Sequence, residues 1–533
     1  MRGGDGSLRW LASDDIEINL MTNQLDEKSE QTPLKLVFLN LVPSAAGTLQ
    51  GANPAQFITG PRDYSSYATN TVLPFTDPAI YSGRPGAGTH GATVMSPDVV
   101  LRSEDYAATI DWALSDALAL KAISGYQEVV ARYSTDADAT PYTVNQSDFH
   151  NAHRQFTQEL RLNGAFGPVD WTVGGYYYDA TSRIKGVNYL QPGTASENLN
   201  SPNDTIVTQS QSGFAHAVWH VTDLLDLTTG LRYTDDEKTY EYQRLNPFVA
   251  GIPTYTAAGV LTGTRGSYTG DRWDYRMNLS YQWTPDVMAY VQFSTGYRGG
   301  GINPRPFVPE QAVPFDPETL DAYEIGVKSD FFGNLLRLNV SVFLNEYQDI
   351  LFTNIAPTAT SFQNATPVNA GDAEIKGAEI EITARPFTGF LLDITASYLD
   401  FELQRIGASG ATISGITLNN VAPFTPQWKA SAGIQYQIDL GSIGTLTPRI
   451  DGSYQDSFYT AIDNHPQSRV EDYTLYNARL VWRSPDDLWQ ASFAVTNLED
   501  KFYYTHKFRL AIGVTSGQTA PPRQWGLTLR RNF

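Results

Sequence analysis

Residues 274–283 read DYRMNLSYQW, with polar and apolar side chains in strict alternation. Successive side chains of a β-strand point to opposite faces, so a period of two indicates a strand with one polar and one apolar face. The same alternation recurs in residues 336–344 and 428–438. The apolar set of the first segment is Tyr275, Met277, Leu279, Tyr281 and Trp283.

Strands of this kind follow one another along nearly the whole chain of 533 residues. We expect about 19 of them, with apolar stretches of about 9–12 residues, longer than the usual strand of a soluble domain. That length suits a strand that crosses a bilayer at a tilt. The predicted strand cores are 7–11, 15–23, 105–114, 118–131, 154–165, 170–183, 208–221, 225–243, 272–283, 287–298, 320–331, 335–352, 374–385, 390–404, 426–438, 445–458, 472–483, 488–502 and 522–533.

The connections between these strands alternate between short and long. Short ones carry tight-turn residues, as in Gly167-Pro168 and Gly333-Asn334. Strict alternation places all short turns at one end, which is typical of an outer-membrane barrel with brief periplasmic turns and extended outer loops. Residues 24–104 are therefore predicted to form one long extracellular loop. Other long connections are predicted at 244–271, 299–319, 353–373, 405–425 and 503–521.

The number of strands indicates which way the apolar face points. A barrel of about 19 strands has a lumen too wide for side chains to fill, so the lumen is wet and the apolar face meets lipid. Trp283 and Trp428 lie near strand ends on that face and fit an interfacial girdle, whereas Trp219 and Trp273 fit less well. We predict an all-β fold, a transmembrane antiparallel β-barrel. A secreted soluble adhesin, with its apolar faces packed inward, is the alternative.

Composition excludes several other classes of protein. The chain has 57 acidic and 37 basic residues and a net charge of −20, whereas nucleic-acid binding needs clustered Lys and Arg. The absence of Cys excludes a disulfide framework, a thiol nucleophile and Cys-type zinc sites. No stretch approaches about 18 consecutive apolar residues, so no membrane helix is expected.

Five segments, in order along the chain, resemble the C-terminal barrel of TonB-dependent outer-membrane receptors of the iron–siderophore type. They are YVQFSTGYRGGGINP (290–304), PETLDAYEIGVK (317–328), AEIKGAEIE (373–381), VTNLEDKFY (495–503) and RQWGLTLRRNF (523–533). Ile302 stands where the family usually has Phe. The resemblance implies a receptor for uptake of a ferric siderophore in the outer membrane of a Gram-negative bacterium. It also implies that Phe533 belongs to a signal read by the barrel-assembly machinery.

The resemblance also implies further strands and a plug domain, which we do not recognise in this sequence. The family's barrels normally have about 22 strands and a lumen filled by an N-terminal plug, through which TonB acts. The first predicted strand feeds a short turn, so the chain would start on the outer side. We therefore expect residues 1–533 to be an N-terminally truncated receptor barrel without its plug, engaging TonB only in a full-length form. We expect a monomer in outer-membrane lipid.

The sequence carries no catalytic constellation, so we predict no enzyme activity, no cofactor and no metal centre. His216 and His220 lie four residues apart in a strand, about 13 Å, and share a face without being able to bind one metal. His150 and His153, with Asp148, fall in a predicted loop and are the nearest approach to a metal-ligand group.

Charged residues on the polar faces are predicted to line the lumen, where the resemblance implies contact with a plug or with water. They are Arg276, Arg337, Glu379, Glu381, Lys429 and Arg479, together with Glu159, Arg161, Glu324 and Lys328. Ligand contact is expected from residues near the mouth, for which Tyr459, His465, Arg469 and Tyr67 are candidates. Aromatic and Arg side chains suit the catecholate or carboxylate groups of a ferric siderophore, and they equally suit sugars.

Two other functions are alternatives, the first with the same architecture and the second of a different class. One is a receptor for another scarce nutrient, such as cobalamin or an oligosaccharide. The other is a passive porin, although porins have about 16–18 strands and the strand count and closing motifs favour the receptor.

Overall fold

One antiparallel sheet of 21 strands dominates the computed structural model of the chain. The structure describes residues 2–30, 34–39, 58–63, 71–72, 93–94, 98–139, 145–190, 198–245, 261–306, 311–356, 364–510 and 513–532. Two of the 21 strands, Arg244–Leu245 and Ile438–Asp439, have only two residues each. The other 19 are long strands, which is the predicted number.

The long strands are β1 Arg2–Leu11, β2 Ile16–Glu30, β3 Asp98–Ser115, β4 Leu118–Asp136, β5 Asn145–Phe166, β6 Val169–Leu190, β7 Asn198–Thr222, β8 Leu225–Glu241, β9 Arg265–Thr284, β10 Val287–Arg298, β11 Glu318–Phe331, β12 Leu336–Ala356, β13 Asn364–Ala384, β14 Phe390–Ile406, β15 Trp428–Tyr436, β16 Thr445–Gln455, β17 Tyr473–Arg483, β18 Trp489–Thr496 and β19 Gln524–Arg531. Each pairs antiparallel with the next along the chain. This meander forms the barrel wall and confirms the predicted all-β fold.

The apolar face of the wall is exposed. Leu279 lies in register between Leu227 and Val291 on the two neighbouring strands and is 41% exposed. A soluble domain with a dry centre would bury such a row, whereas a membrane barrel turns it to lipid. Trp219 and Trp273, which fitted the girdle less well in sequence, are also exposed on this face.

The two ends of the wall differ, as the alternation of connections predicted. Short turns such as 116–117 and 167–168 lie at one end, called the turn end here, and the longer connections lie at the other, the loop end. The strands extend further towards the loop end than predicted, and β7 reaches 25 residues. Backbone pairing does not need apolar side chains, so the ladders continue past the point where the lipid-facing alternation stops.

This extension shortens two connections relative to the sequence prediction. The connection predicted at 353–373 comprises only 357–363, because β12 and β13 continue into it. The loop predicted at 24–104 begins after Glu30 and ends before Asp98.

Both ends of the wall meet in a small separate sheet at the loop end. Leu34–Leu39, which follows β2, pairs with Val514–Thr519, which precedes β19, and Val514–Thr519 also pairs with Tyr504–Leu510. Among the described residues, β1 pairs with β2 alone and β19 with β18 alone. The small sheet therefore links the segment after β2 to the segment before the last wall strand, β19.

No helix in the described parts of the chain is long and apolar enough to cross a membrane.

Candidate functional site

The predicted wall charges lie on the polar face of the sheet, opposite the lipid-facing rows. Arg276 donates to Gln292 Oε1 (2.9 Å), and Arg337 makes two hydrogen bonds to the carboxylate of Asp330 (2.7 and 3.2 Å). The register places on this face Arg276, Arg337, Glu379, Glu381, Lys429 and Arg479. Their contact with a plug or with water stays a prediction.

A tighter ion-pair cluster on the same face was missed in the sequence. Arg449 on β16 approaches Asp393 on β14 (2.8 Å) and Asp451 on its own strand (2.6 Å), and its side chain is mostly buried. These residues occupy polar positions of the alternation, but nothing in the sequence showed that Asp393 and Arg449 come together across β15. The cluster neutralises Arg449, so it braces the wall rather than offering a free cation.

The histidines considered for a metal lie in strand β5, not in a loop as predicted, because β5 begins at Asn145. His150 Nε2 lies 3.5 Å from Asp148 Oδ2. The two ring nitrogens of His153 contact Ser182 Oγ (2.8 Å) and Gln155 Oε1 (3.2 Å). The two histidines thus have different partners, and the structure does not bring them to one ligand position.

The conspicuous glycine-rich motif forms a strap at the loop end, here defined as residues 299–306 and 311–316. Lys238 Nζ donates to Gly300 O (2.8 Å), and the Tyr242 hydroxyl donates to Asn303 O (2.7 Å). At the far side, Asp316 N donates to Asn369 Oδ1 (2.9 Å) on β13. The strap is therefore tied to the wall at both of its ends.

A buried polar network at the ends of the wall strands contacts the strap through hydrogen bonds. The Tyr240 hydroxyl lies 2.7 Å from Pro304 O and 2.9 Å from Asp204 Oδ2, and it donates to one of them at a time. Asp204 forms an ion pair with Arg244, and both side chains are almost completely buried. Burial raises the pKa of the neighbouring Tyr242 phenol, which therefore stays protonated and able to donate. Sequence alternation gave no sign of this network.

We expect Gly300→Ala to loosen the strap by about 1–3 kcal/mol, the usual cost of overpacking. A Cβ at Gly300 would lie 2.4 Å from Tyr268 Cε2 and 2.6 Å from Phe315 O. Faster amide hydrogen exchange in residues 299–306 would report the loosening. The matched control is Gly296→Ala in β10, where a Cβ meets nothing within 4 Å. Equal exchange in both variants would contradict the packing role of Gly300.

A second loop assembly, the loop platform, consists of residues 407–427 and 456–472 and the strand Tyr504–Leu510. Asn464 joins its first two parts, since its side chain accepts from Val421 N (2.7 Å) and donates to Val421 O (2.9 Å). Asn420 Nδ2 donates to Ile462 O (2.8 Å), and Ile413, Ala422 and Ile462 are buried in one apolar cluster. The platform is thus packed and hydrogen-bonded throughout.

The loop candidates for ligand contact belong to this platform. Tyr459 and Arg469 face each other in a two-residue ladder, and His465 lies at the turn between them. Arg469 Nη1 pairs with Glu471 (2.8 Å), so its charge is already balanced. Burial lowers the pKa of His465, and the positive charge of Arg509 lowers it further, so its imidazole is neutral at pH 7. Tyr67 and Phe533 lie outside the described residues.

A comparison with protein-family models settles the family. The model described as "TonB dependent receptor-like, beta-barrel" matches residues 45–498, which is most of the chain. The chain belongs to this TonB-dependent receptor family. Proteins of the family reside in the outer membrane of Gram-negative bacteria, which agrees with the exposed apolar wall.

Curated relatives in the family include the pesticin receptor of Yersinia enterocolitica, 25% identical over 405 residues, which cover 75% of this chain and 53% of that protein. Another is the probable TonB-dependent siderophore receptor PiuA of Acinetobacter baumannii, 24% identical over 260 residues, or 46% of this chain and 33% of that protein. The chain spans about half the length of the pesticin receptor.

Solved structures share the fold over the whole chain. The ferric yersiniabactin uptake receptor FyuA of Yersinia pestis superimposes with a TM-score of 0.76 at 20% identity, covering 100% of this chain and 70% of that one. The siderophore receptor PiuA of Acinetobacter baumannii gives a TM-score of 0.72 at 17% identity, with 100% and 74% covered. At these identities the likeness shows the receptor-barrel fold alone.

Proposed function

We propose that this chain forms the barrel of a receptor that imports a ferric siderophore across the outer membrane with energy supplied through TonB. The observation that carries the proposal is the family match over residues 45–498, together with a curated relative named as a siderophore receptor. In this proposal the loop end faces outward, the connection after β2 is an outer loop, and ligand enters past the strap and the loop platform. The barrel-assembly machinery would engage the closing strand β19 and Phe533.

The fold does not choose the cargo by itself, because the copper transporter OprC shares it with a TM-score of 0.67 at 13% identity. The loop end favours an organic chelate over a bare ion. In the platform, Tyr459 and Arg469 face each other in a two-residue ladder, and an aromatic ring beside a planar guanidinium suits stacking against an organic ligand rather than coordination of a metal.

The test measures iron uptake by a Gram-negative host that lacks its own siderophore receptors. The host expresses the full-length gene that contains this chain. We expect ⁵⁵Fe supplied as a ferric siderophore to accumulate, and accumulation to stop when TonB is deleted. Uptake of ⁶⁴Cu or labelled cobalamin without uptake of ⁵⁵Fe would show that the cargo is not iron. Uptake that persists without TonB would overturn active import in favour of a passive channel.

A further inference from the structure

One residue of the loop platform, Phe424, has a backbone conformation that its own packing does not explain. Phe424 has a φ of +60°, in the left-handed region that bulky residues avoid. The residue is 52% exposed, so burial does not offset the strain. Elsewhere in the platform the left-handed conformation belongs to Gly415 and Asn464, residue types that adopt it at lower cost. Phe332, in the turn after β11, shares this combination, so the backbone angle alone assigns no role, and the neighbours of Phe424 decide.

The ring of Phe424 extends a short stack of flat side chains. It lies nearly parallel to the imidazole of His506, with 5.6 Å between ring centroids and 11° between planes. His506 in turn lies 6.2 Å and 24° from Phe508. Phe458 supports the Phe424 ring from the side at 5.7 Å. Parallel rings with an exposed member form a surface that favours another flat ring.

The stack is held rigidly. Phe424 N donates to Tyr459 O (2.8 Å), and Pro423 and Pro426 restrict the backbone on either side. His506 and Phe508 alternate along their strand with Lys507 and Arg509. Lys507 Nζ donates to Arg469 O (2.6 Å), and Arg509 forms an ion pair with Asp463, so both hold the strand to the 456–472 connection. A rigid surface loses little conformational entropy when a ligand binds.

We infer that Phe424, His506 and Phe508 form a stacking site for an aromatic ring of the iron chelate, so that the cargo is a siderophore with phenol, catechol or heteroaromatic arms. This inference rests on the proposed function and narrows it. Next to the stack, Arg509 is paired with Asp463 and Lys507 Nζ donates to the backbone at Arg469 O, so both cations are held by the platform and selection would depend mainly on ring shape. Burial lowers the pKa of His506, so its ring is uncharged at pH 7 and stacks as a neutral group.

Binding of two gallium(III) complexes to the purified full-length receptor tests the inference. One complex is a tripodal catecholate, which has aromatic arms, and the other is desferrioxamine, a hydroxamate without rings. We expect Phe424→Asn to weaken catecholate binding by about 10-fold, the loss expected for one aromatic stacking partner. Asn accepts a positive φ, so the same variant should resist proteolysis at least as well as the native protein, which a merely structural role would not allow.

Two further variants complete the experiment. Phe424→Trp keeps a ring and should retain catecholate binding, while Leu418→Ala removes an equally exposed apolar side chain of the same connection and should leave it unchanged. Equal affinity of the native receptor for both complexes, or equal binding by native and Phe424→Asn proteins, would overturn the stacking site and leave iron import standing. Failure to bind any ferric or gallium chelate would overturn both.

Discussion

Replacing Asp204 with alanine is expected to destabilise the network beneath the strap by about 3–5 kcal/mol, because Arg244 would remain buried without a counter-charge. The side chains of Asp204 and Arg244 are 1% and 6% exposed. The same carboxylate accepts from Gln243 N (2.9 Å) and lies within hydrogen-bond reach of Tyr240. Its removal therefore takes an acceptor from Gln243 N and from the buried Arg244, which is costly, whereas Tyr240 can still donate to Pro304 O.

Amide hydrogen exchange in residues 240–245 and in the strap measures this loss locally. The neighbouring pair of Glu241 and Arg265 provides the control, since its atoms are 3.1 Å apart but its side chains are 49% and 77% exposed. Glu241→Ala should change stability by less than about 1 kcal/mol, as is usual for surface ion pairs. Equal acceleration of exchange in both variants would show that burial of the Asp204 pair has no special importance.

A double variant separates the loss of a charge from the loss of shape. Asp204→Leu combined with Arg244→Met removes both charges and keeps apolar volume, and such replacements of buried pairs are often neutral. We expect the double variant to regain most of the protection that Asp204→Ala loses. Protection as low as in the single variant would mean that hydrogen bonds to Asp204 outweigh its pairing with Arg244.

The wall could be predicted from sequence because lipid imposes its own pattern. At the turn end, the predicted core 272–283 ends within one residue of β9, which ends at Thr284. Here each strand passes from the bilayer directly into a turn, so the polar–apolar alternation stops at the same place as the strand. At the loop end, β9 begins at Arg265 rather than at the predicted residue 272, because pairing continues in water, where no apolar face is required.

The loop assemblies could not be predicted in the same way. Asn464 binds Val421, 43 residues earlier, and Tyr240 meets Pro304, 64 residues later. Such contacts depend on which strand ends lie side by side, and a single sequence does not show that. The candidates Tyr459, His465 and Arg469 did fall in one assembly, because they lie within one connection. Phe424 carried no sequence signal, since its importance lies in a backbone angle.

Leu279→Arg is expected to destabilise the inserted barrel by about 2–4 kcal/mol, the cost of a basic residue on the lipid face near the bilayer midplane. Leu279 lies between Leu227 and Val291 in the exposed apolar row, five residues from the end of β9 at the turn end. Arginine there would leave its charge in hydrocarbon or force water into the bilayer. The fraction of compact, heat-modifiable protein on unboiled gels, followed across a urea series in lipid vesicles, measures the loss.

The adjacent residue gives a control that differs only in the face it occupies. Asn278 lies in register with Thr228 and Gln292 on the polar face, so Asn278→Arg adds the same charge to a watery lumen and should cost little. If Asn278→Arg were the more harmful change, the apolar row would be the packed side and the barrel would be inside out. The contrast between two neighbouring residues thus tests the alternation from which the fold and the membrane location both follow.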